Sequence, residues 1–297
     1  MKWIHLENPS LEKMQQIAKE HRFPLDYLLS TLDPDEVSRS ENLDCVKPAL
    51  MSLLFPIEND KNQDKGSYVT RTLSIILTDS VLFTCVKQTP DFLQEIIVRD
   101  YMIIKDDSNT LSIVIEIIWQ MTKQYVYAGR DVTAHMDELY GKSRQSSKSE
   151  LLYHLADLDR SIIYLSTAIQ ENHLILKKLN EQDYMKPFEE EMHDILVENH
   201  QADRMINQTR QILAQLDTTF SSIIQNNLNE IMKILTSLTI IITIPSIIGS
   251  IWGMNVNLPL MSHPLAFLII LIIIVLIMIV SVFWLKRKDN LTLDYNC

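Results

Sequence analysis

The sequence predicts an α+β membrane protein: an N-terminal α/β domain, a long helical stalk and two C-terminal transmembrane helices. Three observations predict it. Two uncharged apolar runs, Leu235–Asn255 and Leu265–Leu285, lie near the C-terminal end. Each is about 20 residues, enough at ~1.5 Å per residue to cross a hydrocarbon core of ~30 Å. The middle of the chain has no proline between Pro90 and Pro187 and carries helical patterning. Strand-like runs of Val, Ile, Leu, Phe and Thr over 45–57 and 68–86 lie before that middle part. Core helices of a soluble protein would be the alternative for the two runs. Uninterrupted apolar stretches of this length are the signature of a membrane span instead.

In chain order, residues 2–6 (KWIHL) read as a strand. Ser10 is an N-cap for a helix to about His21, and Pro24–Leu32 reads as a second, short helix ended by Asp33-Pro34. Residues 45–57, 68–77 and 81–86 read as three strands, the last two a hairpin turning at Thr78-Asp79-Ser80. Glu58–Gly66 is a polar loop between them, and Pro90-Asp91 opens a helix to about Arg99. These elements make up a domain over residues 1–105, with strand order and register unreadable. A stalk over 106–232 follows, then a membrane hairpin over 233–285 and a basic tail over 286–297. Three long helices are predicted, Leu111–Tyr140, Ser149–Leu179 and Phe188–Trp252, broken at 141–147 and 180–187. The third has about 65 residues, near 97 Å at ~1.5 Å per residue. Such a helix needs partners along its length.

Polar residues in the first span are ordered. Thr236, Thr239, Thr243, Ser246 and Ser250 alternate at spacings of 3 and 4, which gathers their hydroxyls on one helix face. Ser237 lies off this line. Upstream the same rhythm passes through Met232, Asn229, Gln225, Ser222, Thr218, Gln215, Gln211 and Gln208. A polar seam turned to lipid would be costly, so it must meet partner helices or water. Hydroxyls also join helices in membranes. The continuation as Gln, Asn and Thr outside the span favours a water-lined pore. Lys286, Arg287 and Lys288 follow the second span and Lys233 precedes the first, while the loop from Gly253 to Pro264 has no charged residue. By the positive-inside rule both termini are expected in the cytosol.

The net charge of -11 argues against nucleic acid as a partner. Cys45, Cys85 and Cys297 are far apart and form no CxxC pattern, which suits a reducing compartment. The N-terminus, MKWIHLENPS, lacks a basic-then-apolar leader. Five glycines suit a largely helical chain. No phosphate loop, GxSxG, HExxH or nucleotide fingerprint is found, and no catalytic pair stands out. No enzyme activity is expected.

Asn229-Glu230-Ile231-Met232-Lys233-Ile234-Leu235-Thr236 at the inner end of the span, Pro245 within it and Trp252-Gly253-Met254-Asn255 at its outer end resemble the CorA family of divalent-cation channels. The match is close over roughly the last quarter of the chain. It is looser at WIxLENP and PLDYLLSTLDPDE near the N-terminus. The resemblance implies a homopentameric funnel in the plasma membrane, with lipid and other copies of itself as partners and Mg²⁺ as the transported ion. It implies a selectivity filter at Gly253, Met254 and Asn255 and a pore lined by Asn229, Met232, Thr236, Thr239, Thr243, Ser246 and Ser250. It adds a basic ring at Lys286, Arg287 and Lys288, and a regulatory metal site to which Asp194 contributes a carboxylate. His193, His200 and Glu198 lie close to Asp194, and a solvated helix face is the plainer reading of that group. Gly253-Met254-Asn255 could also serve as a helix C-cap.

The chain departs from the family pattern in places. Trp252 stands where the family usually has Tyr, and Val256-Asn257-Leu258-Pro259-Leu260 lacks the acidic residue common after the motif. Thr243 replaces a steric Met, Ser250 a glycine, and Thr218 an Asp found in some relatives. The Zn²⁺ branch of the same family, and a membrane-anchored coiled-coil scaffold without transport, are the alternatives. Mg²⁺ holds its waters tightly, and amide and carbonyl oxygens that bond to its water shell would pass it without trapping it. An inner-sphere carrier of softer metals would need Cys or His in the spans, and none lies between Lys233 and Ser262.

Overall fold

The computed structural model describes residues 2–33, 36–44, 47–59, 66–100, 110–142, 148–254 and 265–293. They divide into two compact units, with the boundary between Asp217 and Thr218.

The first unit is built on a five-stranded sheet in the order β1-β5-β4-β3-β2. β1 (Lys2–Glu7) runs parallel to β5 (Val81–Val86). β2 (Arg39–Glu41), β3 (Ala49–Glu58), β4 (Tyr68–Leu77) and β5 pair antiparallel in turn. Leu50 lies opposite Ile76, and Met51 opposite Ile75. Side chains alternate across a strand, so these two pairs serve opposite faces. Leu50, Ile76, Phe83 and Cys85 pack with Met14 of α1 (Leu11–His21) and with Tyr27 and Leu28 of α2 (Asp26–Leu29). Met51, Leu53, Phe55, Leu73 and Ile75 pack on the other face against α3 (Asp91–Asp100), α4 (Thr110–Lys142), α5 (Lys148–Asn180) and the start of α6 (Glu189–Trp252). A sheet covered on both faces is apolar nearly throughout, and that continuity hid its register in the sequence.

Several boundaries differ from expectation. β2 was not predicted: its three residues, Arg-Ser-Glu, have no apolar pattern and are held by pairing with β3. The strand expected from residue 45 begins at Ala49, after Pro48, which cannot donate to a ladder; Cys45 lies outside the described residues. Only Asp26–Leu29 of the expected 24–32 helix is α-helical. The break at 180–187 holds a 3-10 turn, Asp183–Phe188. Ser10 caps α1 as its sequence suggests, its side chain accepting from the Lys13 amide at 3.4 Å.

Beyond the short β2, the backbone of Leu54 has β4 on one side and no strand on the other. Asn172 of α5 takes that open side: its Oδ1 accepts from the Leu54 amide at 3.0 Å and its Nδ2 donates to the Leu54 carbonyl at 2.7 Å. The Ser38 hydroxyl donates to the same Oδ1 at 2.7 Å, and the Tyr125 hydroxyl donates to Leu54 O at 2.8 Å. This buried network satisfies groups that would otherwise cost about 1–3 kcal/mol each. α6 crosses α4 closely at Gly129, where an added Cβ would lie 2.6 Å from Met205 Cε. Beside it Thr133 and Thr209 share a 2.9 Å hydroxyl contact.

The second unit holds the rest of α6 and α7 (Ala266–Leu293). Both contain runs long and apolar enough to cross a membrane. Their large side chains are open: Ile234 is 64% exposed, Phe267 80% and Phe283 72%.

Candidate functional site

The seam of α6 lies on exposed helix surface. Asn229, Met232, Thr236, Thr239, Thr243, Ser246 and Ser250 are all exposed. Each hydroxyl in it donates to the carbonyl one turn back: Thr236 to Met232 at 2.7 Å, Thr239 to Leu235 at 2.8 Å, and Thr243 to Thr239 at 2.7 Å. Ser246 donates to Ile242 at 3.0 Å and Ser250 to Ser246 at 2.7 Å. A hydroxyl has one proton, and here it is committed to the helix. What remains outward is oxygen lone pairs. Such a surface accepts hydrogen bonds, and the waters around a cation turn their hydrogens outward. The seam therefore suits a hydrated cation without any carboxylate.

At the C-terminal end of α6, Gly253 is three residues past Ser250 and continues the same alternation. Its amide donates to Gly249 O at 2.9 Å, and Met254 N donates to Ile251 O at 3.3 Å, closing the helix. A Cβ on Gly253 would sit 3.3 Å from Gly249 O, a tight contact. Gly253 and Met254 are exposed, while Asn255 lies outside the described residues. Pro245 sits inside the helix, so Ile241 O receives no amide proton from one turn on.

Towards the N-terminal end of α6 the register reaches further than Gln208. Continuing the alternation of 4 and 3 leads through Arg204, Gln201, Val197 and Asp194 to Glu190, all exposed. The opposite side of α6 is what the first unit uses. Met192, Ile195, Asn199, Ala202, Ile206, Thr209 and Leu213 repeat at the same spacing and are buried, none above 4% exposed. Two interleaved 3.5-residue repeats thus share one helix, one closed by its own chain and one open. Asp194 falls on the open repeat. Arg204 does too; sequence reading missed it, though counting the spacing four residues further would have found it.

Other predicted residues are not brought together. Asp194, His193 and His200 are exposed on α6, and among the described residues no group of three His, Cys, Asp or Glu side chains could hold a metal. Lys286, Arg287 and Lys288 lie within the helical span of α7, Arg287 exposed.

Comparison with known proteins places this architecture. The family model described as CorA-like Mg²⁺ transporter protein matches residues 1–287. The cobalt/magnesium transport protein CorA of Methanocaldococcus jannaschii is 23% identical over 291 residues, covering 96% of this chain and 90% of that protein. The complete structure of the magnesium transporter CorA from that organism superposes with a TM-score of 0.81 at 22% identity, covering 96% of this chain and 90% of the other. Full-length CmaX gives a TM-score of 0.71 at 13% identity, covering 96% and 87%. The ZntB cytoplasmic domain from Vibrio parahaemolyticus gives 0.55 at 14% identity, covering 77% and 88%.

Proposed function

The chain belongs to the CorA-like Mg²⁺ transporter family, a family of membrane transporters and not of enzymes, and from that premise we propose that it conducts hydrated divalent cations, Mg²⁺ first among them, along the α6 seam. The observation that carries this is the unbroken register of exposed acceptor groups through an apolar span. One helix encloses no pore, so several copies converge with their seams inward and α7 outward against lipid. Five is the number the family resemblance implies.

In this reading residues 1–105 and 106–232 form the cytosolic domain and stalk, 233–285 the hairpin in the plasma membrane, and 286–297 a basic cytosolic tail. Gly253, Met254 and Asn255 form the filter, with Asn255 amides bonding to the water shell of the ion. Asn229, Met232 and the hydroxyl seam line the path inward. Lys286, Arg287 and Lys288 ring its inner mouth, and Asp194 contributes a carboxylate to a regulatory cation site between copies, its partner group lying in the N-terminal domain. The membrane potential supplies ~2.3 kcal/mol per charge per 100 mV, doubled for a divalent ion, so inward flow needs no ATP.

The test is ion uptake into liposomes at matched potential. Mg²⁺ flux is expected, with Co²⁺ and Ni²⁺ weaker, blocked by hexaamminecobalt(III), lost in Asn255→Ala and kept in Ser237→Ala. Zn²⁺ flux that follows a proton gradient, with no Mg²⁺ flux and no block, would move the chain to zinc transport. The absence of all flux would favour a scaffold.

A further inference from the structure

We infer that Arg204 sets the charge of the cytosolic approach to the pore, forming a positive ring that throttles cation flow. This rests on the proposed convergence of α6 seams. Arg204 is exposed and lies on the open repeat, between Gln201 and Gln208. From there outward to Gly253 the repeat carries no other charged residue. The neighbouring carboxylate, Asp203, is occupied by Gln170 Nε2 at 3.2 Å and Asn207 Nδ2 at 3.0 Å. Because the buried repeat ties the other side of α6 to its own unit, the guanidinium side is left for what the copies enclose. Symmetry then multiplies a charge that has no ion-pair partner among the described residues into a ring around the axis. A ring of fixed positive charge lowers the local concentration of cations, which counters the acceptor-lined seam beyond it. The effect works through solvent and must weaken as salt shortens the screening length, from ~10 Å at 0.1 M to ~3 Å at 1 M.

Arg210 provides a matched control, exposed on the same helix but off the repeat. The measurement is Mg²⁺ flux into liposomes at about 0.02 M and about 1 M background salt. Arg204→Gln should raise flux at low salt at least about threefold, with the gain vanishing at high salt. Arg204→Glu should raise it more, Arg204→Lys should match the parent, and Arg210→Gln should change nothing. Equal behaviour of Arg204→Gln and Arg210→Gln, or a gain indifferent to salt, overturns the ring while leaving conduction intact. A parent protein that passes no cation overturns both readings.

Discussion

The two units solve opposite problems. In the first, the sheet is covered on both faces and even the stray backbone of Leu54 finds partners in Asn172. In the second, the seam hydroxyls from Thr236 to Ser250 bond to their own helix, and among the described residues the large apolar side chains are left open. The first unit is closed by its own side chains; the second leaves its large apolar side chains exposed, and under the proposed function lipid and further copies cover them. The lesson is that polar residues mean different things in each. Asn172 is polar and holds a fold together, whereas the Thr243 hydroxyl donates to its own helix and leaves its lone pairs on exposed surface.

The contrast is open to direct attack. The largest effect should come from Asn172→Leu, which leaves the Leu54 amide and the Ser38 hydroxyl unpaired and removes an acceptor of their bonds. A loss of about 3–5 kcal/mol is expected, read as a fall in the unfolding midpoint of the full chain in mild detergent. A loss below about 1 kcal/mol would mean that water replaces the amide.

Gly66→Ala comes next. Gly66 has φ of 86° and an added Cβ would lie 2.7 Å from the His135 ring. Strain plus the clash should destabilise by about 2 kcal/mol in the same melt.

A smaller effect should appear with pH. Burial lowers the His5 pKa from its ordinary 6.5, with Glu7 pulling the other way. The ring sits between Thr84 and Thr89, each 2.9 Å away. The unfolded chain therefore takes up the proton first. The His5 contribution is complete above about pH 6.5, declines as pH falls, and levels off below the folded value. His5→Gln should flatten that part of the stability–pH curve; an unchanged slope would assign it to other groups.

The smallest stability effect is expected in the second unit. Thr243→Val removes only a bond from a hydroxyl to its own helix, and the midpoint should move by less than ~0.5 kcal/mol.

Legibility followed the same divide. The spans and the hydroxyl seam could be read from Thr236 to Ser250, because a 3.5-residue repeat of polar groups stands out in an apolar run. α4 and α5 could be read because no proline occurs between Pro90 and Pro187, and α6 because its repeat runs on through Pro245. β2 could not, since Arg39-Ser40-Glu41 is a strand through its pairing with β3 alone. Nor could the partner of Leu54, which lies 118 residues away in the chain. Arg204 was legible but hidden by its neighbours, because Asp203 and Met205 beside it serve the helix's other contacts.

The central claim is that one side of α6 faces water within the membrane. Single cysteines at Thr239, Thr243 and Ser250, compared with Ser237, Ile240 and Ile247, test it in a background where Cys45, Cys85 and Cys297 are replaced. A charged, membrane-impermeant thiol reagent should modify the first three in liposomes and reduce Mg²⁺ flux as it does so. The other three should stay unmodified, with flux unchanged. Equal reactivity on both sets, or modification of the seam that leaves flux untouched, would contradict the account.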